Sequence, residues 1–106
     1  MSSAVLMALG LLVQPIAPSS DMDAAAQCGW VLYDAMLRSE GETRSSWATA
    51  RDAWAGELSI RAEASGEAPE GVQSIVDAAL AKLQQASVEN ANVVSELADW
   101  CAANQP

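Results

Sequence analysis

The sequence predicts an all-α fold, a small antiparallel four-helix bundle tied by one disulfide and preceded by a cleavable signal helix. Three observations lead there. Alanine, the best intrinsic helix former, dominates a chain that is 51% apolar, while Gly, Thr and Ile are scarce. Apolar residues recur at helical spacing in separate stretches. Two cysteines, Cys28 and Cys101, stand near opposite ends of the segment that follows residue 20. At 106 residues there is room for one domain.

Residues 1–19 read as a signal peptide and 20–106 as a single helical domain. Ala4 to Val13 is an uncharged apolar run. It falls short of the roughly twenty residues that span a bilayer but suits the core of a secretory signal. Pro15 ends that helix, and Ala17 and Ser19 supply the small residues before a cut between Ser19 and Ser20. No Lys or Arg precedes the run, a departure from the usual signal pattern.

The first helix of the domain, capped by Asp21 or Asp23, carries the stretch Ala24–Arg38 and extends to about Glu40. Cys28, Val31, Leu32, Ala35 and Met36 form one apolar face. Trp30, Tyr33 and Leu37 form a second stripe at i, i+3 and i+7, and only Gln27, Asp34 and Arg38 make a polar strip. A helix apolar nearly all round packs on several neighbours, so this one is central. Gly41 to Arg44 is a loop, and Ser45 or Ser46 caps a second helix running from Trp47 to about Ala64. There Trp47, Trp54, Leu58 and Arg61 share a face beside Ala50 and Arg51, as core filling.

Ser65 to Gly71 is the most loop-like stretch of the domain. Its neighbouring carboxylates Glu63, Glu67 and Glu70 follow no EF-hand order and read as a solvated turn. Pro69 suits the first turn of a third helix, on which Val72, Ile75, Val76, Ala79, Leu80 and Leu83 make the cleanest amphipathic pattern. Ala91, Val94, Leu97, Ala98 and Cys101 repeat the spacing, widened by Val93 and Trp100, and end near Asn104.

No glycine or proline separates Val72 from Gln105, so three long helices are the alternative. The cysteines decide between them. In an exported protein of this size two cysteines read as one disulfide, which needs Cα atoms within about 7 Å. Three antiparallel helices would hold Cys28 and Cys101 roughly 25 Å apart at 1.5 Å rise per residue. Four bring them to the same end. The break belongs at Ser87–Asn90, where a new helix can be capped and the apolar face is weakest.

Fourteen acidic residues against five basic give a net charge of −9, all of it after residue 20. Such a surface repels nucleic acid and anionic lipid, and no stable membrane insertion is expected once the signal is removed. With no histidine there is no Ser-His-Asp or Cys-His machinery and no histidine-held metal. The cysteines form no CxxC pair, and GEAPEG lacks the ending of a phosphate loop. Glu96 and Asp99 read as a solvated edge. Asp34 sits mid-way along the most apolar helix, with Arg38 at i+4 in the favourable acid-first order, and the two read as a structural ion pair. Arg51 and Arg61 are the alternative partners of Asp34.

The chain is therefore expected to be a small exported helical protein of the periplasm or the medium, without enzymatic activity, metal or cofactor. Its role is protein interaction or structure, with Trp30, Tyr33 and Leu37 presented to a protein partner or to a second copy. The alternative is an acid- or stress-responsive periplasmic holdase, whose surface loses its negative charge below about pH 4 and exposes apolar faces. In size, export and one long-range disulfide the chain is similar to the periplasmic acid-stress chaperones, a likeness of layout with no shared motif. Those chaperones are richer in lysine.

Overall fold

The computed structural model describes residues 21–106 of the chain. Within them lie four helices: α1 (Asp21–Leu37), α2 (Gly41–Ser65), α3 (Pro69–Glu89) and α4 (Val93–Ala103). No strand occurs among the described residues. The expected signal peptide, residues 1–19, lies outside them.

The connections are shorter than the sequence suggests. α1 stops at Leu37, and Arg38–Glu40 is enough to reverse the chain because Gly41 adopts φ 62° at the start of α2. That left-handed conformation is open to glycine without steric cost. The expected loop Gly41–Arg44 is thus the first turn of α2. Glu42 lies in that turn, where its charge complements the helix dipole. Ser45 caps nothing, since its hydroxyl donates back to the Gly41 carbonyl inside the helix. Ser46 is likewise internal.

Gly66, at φ 73°, ends α2 and donates its N–H to the Glu63 carbonyl. Pro69 opens α3, where its missing N–H costs nothing. The break between α3 and α4 falls near the expected place but with different chemistry. Ser87 stays inside α3, its hydroxyl donating to the Gln84 carbonyl. Asn90 makes the turn instead, its Oδ1 accepting the Asn92 N–H at 3.0 Å.

α1 packs on all three other helices, most extensively on α2, whereas α2 and α3 scarcely meet. α4 runs beside α1, joined to it by the Cys28–Cys101 disulfide at a Cα separation of 5.5 Å. The interior is built on Cys28, Val31 and Leu32 from α1, Trp54 from α2, Leu83 from α3 and Leu97 from α4. Trp54 also serves the polar end of α4. Its Nε1 donates to the Cys101 carbonyl at 2.8 Å, one of the last-turn carbonyls that no intrahelical N–H reaches. Its ring lies 6.4 Å from that of Trp100.

Two residues of α1, one from the expected polar strip and one expected at its cap, are buried instead. Gln27 is wholly buried, and its Nε2 donates to the Ala79 carbonyl of α3 at 3.0 Å. Asp23 is not a cap. It lies within α1, buried, and its carboxylate accepts the Lys82 ammonium at 2.9 Å. The reason is α3, which covers this side of α1 in its N-terminal half. Asp34 and Arg38, further along, stay nearer solvent.

Reducing the disulfide frees a crosslink between residues 73 positions apart, for which the chain-entropy relation gives about 4 kcal/mol. Urea unfolding with and without reductant should show a loss approaching that figure, and a midpoint unmoved by reductant contradicts it. Lys82→Met should cost about 2 kcal/mol, because the buried Asp23 carboxylate loses its ammonium partner. Adding Asp23→Leu to that variant should recover part of the loss in the same assay.

Candidate interaction surface

Cys28, Val31 and Ala35 face α4, and Trp30, Tyr33 and Leu37 lie further round α1. Trp30 is 43% exposed, Tyr33 44% and Leu37 53%. The three do not form one flat patch. Tyr33 leans towards α2, with the Arg51 guanidinium 5.8 Å from the centre of its ring. Trp30 leans the other way and borders a groove of about 290 Å³ with Leu80, Leu83 and Gln84 of α3 and Val94 of α4. Leu37 marks the end of the stripe, at the last residue of the helix.

Arg38 Nε lies 3.0 Å from Asp34 Oδ2, with the arginine side chain 77% exposed and the aspartate 24%. The other two arginines considered for Asp34 are engaged elsewhere. Arg51 reaches Asp52 at 2.7 Å, and Arg61 reaches Glu57 at 2.7 Å while lying over the Trp54 ring.

A second groove, of about 250 Å³, opens where α1, α2 and α4 meet. Val31, Ala35, Val94 and Ala98 supply its apolar lining, Trp47 adds an aromatic wall, and the Asp34–Arg38 pair and Asp99 bring charge. Asp99 is therefore part of a concave surface as well as of the solvated edge read from the sequence. Its neighbour Glu96 is less solvated than expected, with Oε2 buried and without a hydrogen-bond partner.

Four of the five basic side chains are held in ion pairs, by Asp34, Asp52, Glu57 and Asp23. What remains on the surface is mostly carboxylate, as at Glu40, Glu42, Glu63, Glu67 and Glu70. Among the described residues no group of three or more His, Cys, Asp or Glu is placed to hold a metal ion. Both cysteines are in the disulfide. The arrangement is one of grooves and half-exposed rings.

Sequence reasoning missed Asp23, Gln27 and the concave setting of Asp99. One signal was present: Lys82 is the only lysine in the chain and stands beside the apolar stripe of α3. No local pattern paired it with Asp23, 59 positions away.

No family model, curated protein or solved structure matches this chain significantly. No helix among the described residues is long and apolar enough to cross a membrane.

Arg38→Ala should lower stability by no more than about 0.5 kcal/mol, the range of an exposed i, i+4 pair. A loss above about 2 kcal/mol in urea unfolding would give the pair a weight that its exposure denies it.

Proposed function

We propose that the chain is a non-enzymatic protein-interaction module of an oxidising compartment, the periplasm or the medium, and that Trp30, Tyr33 and Leu37 are its partner-binding residues. The observation that carries this is the half-exposure of two aromatic rings and a leucine on the central helix. Tyr and Trp are the side chains most often found to dominate binding energy at interfaces. The buried disulfide supports the compartment, since such bonds persist where thiols are not kept reduced. The charge favours a different protein over a second copy, because two chains of net charge −9 repel on approach.

The alternative, a holdase released by acid, draws on one observation. α2 and α3 scarcely touch, so the bundle can open along that seam with the disulfide intact. Near-UV circular dichroism at pH 2 tests it: native ellipticity retained there rules the holdase out.

For the principal reading, protein crosslinked in intact cells should yield a discrete partner adduct that the Trp30→Ala, Tyr33→Ala double variant loses. The variant should keep its far-UV spectrum, because neither ring is buried. Equal crosslinking by both forms would refute the stripe as the binding surface.

A further inference from the structure

We propose that the groove between α1, α2 and α4 binds an alkylammonium group, carried by a free amine or by a lysine side chain. This groove is lined differently from the Trp30–Tyr33–Leu37 stripe, and the proposal goes beyond the interaction role.

Size comes first. About 250 Å³ lies just below the roughly 300–1,000 Å³ of clefts that hold drug-sized ligands. It admits a short carbon stem with a compact head. The lining matches that shape, with Val31, Ala35, Val94 and Ala98 offering methyl groups to a stem.

Charge selects the head. Three charged side chains line the groove: Asp34, Arg38 and Asp99. Arg38 is held by Asp34 at 3.0 Å, so that pair is close to neutral as a unit. Asp99 makes no ion pair or hydrogen bond among the described residues, and its carboxylate is the groove's uncompensated charge. Trp47 lines the same groove, and an indole face attracts a cation through its quadrupole. An anion would find one guanidinium, already held by Asp34, against two carboxylates. The net charge of −9 adds a long-range field that concentrates cations at the surface.

The test is a titration of the disulfide-intact protein with n-hexylammonium, followed by amide and indole NMR shifts, with hexanol and hexanoate as controls. Saturable shifts at Val31, Trp47, Val94 and Asp99, at roughly millimolar ligand, are expected for the amine. Hexanol should bind at least about fivefold more weakly and hexanoate not at all. Asp99→Asn, an exposed position that leaves the core untouched, should weaken the amine about fivefold, and Trp47→Phe should weaken it less. A capped peptide with one lysine, set against its acetyl-lysine form, identifies the source. Saturation by the amine, the lysine peptide or both supports the site. Binding of neither, equal binding of hexanol, or an unchanged affinity in Asp99→Asn overturns it. Any of those failures leaves the Trp30–Tyr33–Leu37 reading standing, since that surface is tested with other variants.

Discussion

The Cys28–Cys101 bond is the constraint on which the rest of this structure depends. It joins the first helix of the described segment to the last and holds their Cα atoms 5.5 Å apart. Both cysteines are buried within the main apolar cluster, so the crosslink is part of the packing. A domain this small buries a modest fraction of its surface. Restricting the unfolded chain then contributes a large share of its stability. With α4 fixed beside α1, α2 and α3 take the remaining sides of α1, and α1 becomes the element on which every other helix packs most extensively.

Buried polar contacts set the register of that packing. Gln27 with Ala79, Asp23 with Lys82 and Trp54 with Cys101 each cross between helices. Sliding a helix by one turn would break at least one of these contacts, at a cost comparable to a lost core methyl. The apolar contacts are less discriminating. Alanine-rich faces such as Ala25, Ala50, Ala79 and Ala98 are small and alike, so the polar contacts carry the specificity.

Much of the fold was legible in the residues themselves. The helical stripes on α2, α3 and α4 follow from i, i+3, i+4 spacing, and the disulfide from the count of two cysteines and the geometry a bridge demands. Gly66 and Pro69 mark the α2–α3 turn through backbone chemistry that belongs to one residue each. The α1–α2 turn was misplaced because Gly41 reads equally as the end of one helix or the start of the next. Its positive φ is what allows a three-residue reversal. Gln27 and Asp23 could not be placed from spacing, because their burial is imposed by α3. Trp30, Tyr33 and Leu37 were visible as a stripe, but their divergence towards α3 and α2 is a tertiary fact. Trp47 and Asp99, read separately as core and as solvated edge, meet only when α2 and α4 come together over α1.

The weak seam between α2 and α3 and the covalent tie between α1 and α4 give the molecule one firm side and one open side. The groove with Asp99 lies on the firm side. This architecture requires that the crosslink exists in the protein as cells make it. Trapping thiols with an alkylating agent at the moment of lysis, then denaturing and weighing the isolated protein by mass spectrometry, measures this directly. An unalkylated chain, lighter by two hydrogens than its reduced form, is the expected result. A product carrying two alkyl groups would contradict it.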